Sequence, residues 1–252
     1  MKRFKALVAC EESQAVTIEL RKLGWEAYSC DIQECSGGHP EWHICEDVIP
    51  LVNGDCVFKT MDGKMHSIQG KWDLIVAHPP CTYLTVTGNR WFNVEKYGDK
   101  AIQRAKDREE AVDFFMVFAN ANCDHICIEN PVGIMSTRWR KADQIINPTM
   151  FGDPFDKKTC LWLIGLNPLV ATNVVEAAPR IVYESGKTMP AWYAEAWHLP
   201  KEERARLRSK TFPGIAKAIA IQFTQQITQQ NDYVEIANNE NERTDIRTSR
   251  LG

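Results

Sequence analysis

The chain has 252 residues, of which 44% are apolar and 25% charged, with a formal net charge of −3. That length bounds one large domain, or one domain with a small appendage, able to bury a core without metals or disulfides. The mildly acidic balance excludes a global basic field, so any nucleic-acid surface must be local. Nine cysteines stand at irregular spacing, and the opening "MKRFKALVACEES" has too short an apolar run for a secretory segment. No run approaches the ~20 apolar residues that span a bilayer. These features lead us to expect a cytoplasmic protein with reduced thiols.

In chain order, "FKALVAC" (4–10) reads as a buried strand. "SQAVTIELRKLG" follows with Val16, Leu20 and Leu23 at helical spacing and Gly24 as a stop signal. "WEAYSCDI" reads as a second strand, ending at Asp31. This strand–helix–strand order is the unit of a parallel sheet. "DLIVAH" (73–78) is a further strand. "AIQRAKDREEAVDFFMVFANA" (101–121) is an amphipathic helix with Ala111, Phe114, Phe115 and Phe118 on or near one face. "HICIENP" (125–131) is a strand closed by proline. The alternation predicts an α/β fold with a doubly wound sheet. Beyond residue 135, "QIINPTMFG" and "KTCLWLIGL" read as two strands joined by the turn-rich "GDPFDKK". Residues 171–210 are irregular and polar, with Trp192, Tyr193 and Trp197 interspersed. "FPGIAKAIAIQFTQQI" is a helix with Pro213 near its start; from residue 229 the chain is polar and aperiodic, which predicts a disordered tail.

In an open parallel sheet, ligands bind beyond the carboxyl ends of the strands. Cys10-Glu11-Glu12-Ser13, Asp31, His78-Pro79-Pro80-Cys81 and Glu129-Asn130-Pro131 all fall there, and Asp47 is a fifth candidate. A carboxylate at the position of Asp31 can accept hydrogen bonds from both hydroxyls of a ribose. The first turn has none of the glycines that bring backbone against a pyrophosphate, and two carboxylates there repel phosphate. That argues against NAD and ATP and favours an adenosine ligand without phosphates, such as S-adenosylmethionine; Asp47 would take the adenine amine. The competing reading is that Asp31 and Asp47 are solvated strand-end residues. Paired prolines form a rigid extended turn, which can aim the following Cys81, a strong nucleophile as thiolate, while Glu129 supplies an acid. Against this, Cys81 reads equally as a buried structural cysteine after a plain turn. Cys30, Cys35, His39, His43 and Cys45 match none of the short paired zinc spacings, so no metal is expected; His39 and His43 are expected to organise a loop over the cofactor. The basic runs "TRWRKADQ" and "KEERARLRSK" read either as solvated helix faces or as phosphate contacts.

Pro-Pro-Cys after one strand and Glu-Asn after the next, with a helix between, resemble the cytosine carbon-5 DNA methyltransferases. "DIQECSGGHPEWHICEDV", "DLIVAHPPCTYLT", "KTCLWLIGL" and "TFPGIAKAIA" are similar to a compact branch of that family found in bacteriophage and prophage genomes, over roughly residues 5–225. The resemblance implies a Rossmann-like S-adenosylmethionine-dependent methyltransferase fold, mostly parallel, over residues 1–228, with a reduced target-recognition insertion at about 165–210 and the tail at 229–252. It implies Cys81 as nucleophile, Glu129 as the acid that engages the ring, Pro80 shaping the pocket and Asn130 supporting the loop. Cys10, Glu11, Ser13, Gln14, Asp31, Asp47, His78 and Pro79 would surround S-adenosylmethionine. Lys157, Lys158 and Thr159 would face the substrate, which is cytosine-containing DNA. The chain departs from the family pattern in its glycine-free first turn, in Pro131 where valine is usual, in lacking an evident Gln-x-Arg-x-Arg strand, and in the short insertion. A pyrimidine nucleotide substrate, amino-group methylation and a non-catalytic cofactor- or DNA-binding role are the alternatives.

Overall fold

The computed structural model of the protein describes residues 3–200, 203–204, 208–209 and 211–249, from residue 234 onward as backbone only. Its centre is a seven-stranded sheet. Five strands run parallel in the order β3 (His43–Ile44), β2 (Glu26–Cys30), β1 (Lys5–Ala9), β6 (Leu74–Ala77) and β7 (Ile126–Pro131). β9 (Thr159–Ile164) then pairs antiparallel with β7 on one side and with β8 (Gln144–Ile146) on the other. The fold class expected from the sequence, doubly wound and mostly parallel, is the one observed. β1 and β6 are apolar runs buried on both faces, as strands covered by helices on each side must be.

Residues of β1 alternate between two cores. Ala6 and Val8 pack with Val16 and Leu20 of α1 (Ala15–Lys22) and with Ile215, Ile219, Phe223 and Ile227 of α6 (Pro213–Ser249). Leu7 and Ala9 face Phe115 and Phe118 of α3 (Asp99–Ala119) and Trp72. Short helices α2 (Val94–Tyr97), α4 (Met135–Arg138) and α5 (Ala191–Glu195) lie in the connections. A small ribbon, β10 (Arg180–Val182) with β11 (Thr188–Pro190), occupies the segment expected to be irregular.

Two features depart from the sequence reading. β4 (Cys56–Lys59) and β5 (Met65–Ile68) form an antiparallel hairpin over a stretch to which no element was assigned. Its signal is the Asp62-Gly63 turn, with Gly63 at φ 87°, between short runs of alternating burial. The disordered tail expected from residue 229 is instead helical backbone through Ser249. No glycine or proline interrupts residues 215–249, so nothing in the backbone ends the helix where its apolar stripe stops. None of the helices among the described residues is long and apolar enough to cross a membrane.

Candidate active site

Strand order reverses between β1 and β6, and the crevice over that point is where an open α/β sheet binds ligands. His78 extends the β1–β6 pairing past the strand end, its amide donating to Ala9 O at 2.9 Å. Pro79 and Pro80 then turn the chain. The carbonyl of Cys81 accepts from the amides of Leu84 and Thr85, both at 3.1 Å, which closes the turn behind the thiol. From the neighbouring strand β7, Asn130 Nδ2 donates to Pro79 O at 2.7 Å. The loops beyond are joined as well: Ile134 N donates to Leu84 O at 2.8 Å, and Thr85 bridges Gly133. A Cβ on Gly133 would sit 2.3 Å from Leu84 O, so only glycine fits there. Cys81 and Glu129, 48 residues apart in sequence, therefore share one frame.

His78 Nδ1 donates to Glu129 Oε2 at 2.8 Å, and each side chain is only 11% exposed. Burial alone would raise the Glu129 carboxyl. The hydrogen bond and charge of His78, aided by Lys157, outweigh burial and hold it below the usual carboxylate range. Glu129, expected as an acid, is thus drawn toward its carboxylate form by the histidine partner. For His78, burial lowers the pKa, but the Glu129 bond and the charges of Glu129 and Glu11 outweigh it and the net shift is upward. Its Nε2 is buried and without a hydrogen-bond partner among the described residues. The half-buried Cys81 thiol is pushed up by burial and then by Glu129, and is drawn back by Lys157 and Arg208.

Of the three residues expected to face substrate, Lys157 is the one whose charge reaches Cys81, His78 and Glu129. Its amine donates to Arg208 O at 3.0 Å. Lys158 is exposed, and Thr159 is buried in β9 with its hydroxyl on Lys157 O. Arg208 joins the site without having been singled out within its basic run; its guanidinium stands 4.0 Å from the Tyr193 ring centre. Arg104 and Arg108 of α3 donate to Thr82 O and Tyr83 O and hold the segment after Cys81. A groove of about 720 Å³ opens there, lined by Tyr83, Trp91, Tyr97, Lys100 and Arg104 among others.

The first turn is built from unusual backbone. Cys10 and Gln14 both take φ 58°, a region that favours glycine. Glu11 is buried and uses both carboxylate oxygens at the start of α1: Oε1 accepts from Val16 N at 2.6 Å, and Oε2 from Thr17 N and Thr17 Oγ1. A helix N-terminus is a ready-made phosphate site, and here a carboxylate of the chain fills it. Gln14 clasps the next loop, donating to His39 O and accepting from His39 N. Gly37 lies against it so closely that a Cβ would stand 2.6 Å from Gln14 Cβ. His43 bridges Ser29 Oγ and Gln33 O, and His39 stacks on Trp42. Both histidines thus organise the loop after β2. Ser13 is buried beside Gln14.

Asp31 and Asp47 converge electrostatically on Cys10, whose thiol is pushed up mainly by burial and then by Asp31. Asp31 Oδ1 accepts from Gln33 N at 2.9 Å. Asp47 is exposed and accepts from Ile49 N.

No protein-family model matches the chain, and no curated protein matches it. Among solved structures, one described as a DNA modification methyltransferase encoded within an E. coli prophage aligns with a TM-score of 0.39 at 12% identity. The alignment covers 79% of this chain and 56% of that one, so this chain spans little more than half of its length. The fold itself, a Rossmann-like and mostly parallel sheet, rests on the strand order given above.

Proposed function

We propose that the protein is an S-adenosylmethionine-dependent methyltransferase acting on carbon 5 of cytosine in DNA, with Cys81 as nucleophile. The observation that carries this reading is the rigid pairing of the Cys81 turn with the Glu129 strand end, beside the point where the sheet order reverses. The first turn fits the cofactor: with Glu11 in the phosphate position of α1, the crevice suits an adenosine without phosphates. Asp31 would hold the ribose, Asp47 the adenine amine, and residues 10–14 the methionine part. S-adenosylmethionine would supply the electrophilic methyl group.

The chain's own residues make carbon 5 reactive. The Cys81 thiolate adds to carbon 6, and the carbon 5–carbon 6 double-bond electrons shift toward ring nitrogen 3, which takes a proton from Glu129. The enamine so formed is nucleophilic at carbon 5. After methylation a base takes the carbon-5 proton, the double bond reforms and Cys81 leaves. Asn130 and the two prolines keep the thiol aimed throughout. The Tyr83, Trp91, Lys100 and Arg104 groove beside Cys81 supports a nucleic-acid substrate, since it joins cations for phosphate to rings for stacking. In duplex DNA the cytosine must first leave the stack.

The test is incubation with labelled S-adenosylmethionine and either DNA or free deoxycytidine nucleotides, followed by digestion and identification of the product. We expect 5-methylcytosine from DNA and, with 5-fluorocytosine DNA, a covalent adduct on Cys81 and on no other cysteine. Label on the exocyclic nitrogen, or an active protein that forms no adduct, overturns the reading. Transfer only to free nucleotides reassigns the substrate.

A further inference from the structure

The mechanism asks Glu129 to meet ring nitrogen 3 as an acid, yet the structure holds this residue as a carboxylate against a histidine. The two requirements meet in His78. Its Nδ1 lies 2.8 Å from Glu129 Oε2, and the pair is set at the ends of adjacent parallel strands. Pro79 follows His78 directly and is clamped by Asn130, so the imidazole is held from both sides of the crevice. The second ring nitrogen is buried and has no hydrogen-bond partner among the described residues, so the bonded contact of this ring is the one to Glu129. A proton on this pair therefore has one short path, along the Nδ1–Oε2 bond.

We propose that His78 is the proton reserve for Glu129: the imidazole keeps the proton in the empty site and passes it from Nδ1 to Oε2 when a cytosine ring seats against the carboxylate. The inference rests on the cytosine carbon-5 reading above and deepens it. In the step, the Nδ1–H bond breaks and an Oε2–H bond forms. Imidazolium and carboxylate become imidazole and carboxylic acid, and the Oε2 proton then goes to ring nitrogen 3. On product release the proton returns by the same path, so the pair ends as it began. The groups facing His78 are Glu129 from β7, Glu11 from the turn after β1 and Lys157 from the segment before β9. The two carboxylates favour the imidazolium and the lysine opposes it, and the upward net shift agrees with a proton stored on the ring.

His78 here is a positioning and proton-holding residue, acting through Glu129. His78→Asn tests it, because the asparagine Nδ2 occupies the place of Nδ1 and can donate to Glu129 but cannot give up a proton. We expect this variant, at saturating S-adenosylmethionine, to form the Cys81 adduct with 5-fluorocytosine DNA about 100-fold more slowly near neutral pH, within the usual range for a lost acid–base group. Each rate is divided by that protein's own Cys81 thiolate fraction, read by iodoacetamide labelling, so the ratio of variant to wild type is free of Cys81 ionisation. It should rise as pH falls, since Glu129 must then draw its proton from solvent. A ratio independent of pH overturns the proposal and leaves a structural role only. A second measurement needs no variant and no substrate. In ¹⁵N-histidine spectra of the wild-type protein, one of the six histidines, His78, should read as imidazolium near pH 7. A neutral His78 ring in the free protein overturns the proposal. If wild type forms no adduct at all, the cytosine reading itself falls, whatever the spectra show.

Discussion

Cys81 sits in a poor place for a thiolate. Burial and the Glu129 charge raise its pKa, and Lys157 and Arg208 are the cations that oppose them. Removing one should be visible directly. Lys157→Gln takes away a charge that favours the anion, so the pH midpoint for alkylation of Cys81 should move upward, read by iodoacetamide labelling and mass spectrometry. An unmoved midpoint would mean that the Lys157 amine, bonded to Arg208 O, is screened from the thiol. Cys81→Ser should fold, bind cofactor and lose transfer, because a hydroxyl supplies almost no anion near neutral pH; retained transfer would remove Cys81 from the mechanism. At this scale the sequence was legible where chemistry sits in adjacent letters, as in Pro79-Pro80-Cys81 and Glu129-Asn130. It was not legible where an acid's role depends on a partner. Glu11 and Glu129 look alike as letters, yet one caps a helix and the other holds a histidine 51 residues away.

Among the elements, the join between the loop after β6 and the loop after β7 is the part that activity depends on most. Gly133→Ala would press a methyl group into Leu84 O and part the two loops. We expect cofactor affinity to be kept and transfer to drop by about 100-fold, the effect of displacing reacting groups by roughly 1 Å. Equal losses of both would place the damage in the fold. The start of α1 gives a second case. Glu11→Ala removes the carboxylate that satisfies Val16 N and Thr17 N, and should cost about 1 kcal/mol in urea unfolding, typical of a lost helix cap. Glu11→Gln keeps an acceptor and drops the charge. Burial raises the Glu11 carboxyl in the folded protein, beyond what His78 and the helix amides return. Its ionisation therefore weakens the fold as pH rises from the ordinary carboxylate range through the raised value, and the stability of Glu11→Gln relative to wild type should climb over that interval. The hairpin β4–β5 was missed for a physical reason: its strands are four residues each with one face open, too short a run for alternation to stand out.

For the whole molecule, strand and helix alternation predicted the layered class but not the order of strands. The insertion of β9 between β7 and β8 reverses one strand, and nothing in "KTCLWLIGL" marks its direction. Among the described side chains of α6 the last buried one is Ile227, and Gln230 still ties His125 and Gly165. A chain ending at Tyr233 should therefore keep its melting temperature and its transfer activity; a large loss of either would assign the remaining turns a contact of their own. The cover that α6 lays over α1 has a consequence for synthesis. Trp25 Nε1 bonds Thr224 Oγ1 across 199 residues, and Val16 and Leu20 share a core with Ile215, Ile219 and Phe223. A ribosome makes the first half of this face long before its lid. Throughout that interval the nascent chain carries an open apolar surface, and early-formed structure cannot close around it. Stalled or truncated translation products that stop before residue 213 should then be the aggregating species and the chaperone clients, while the finished chain is neither.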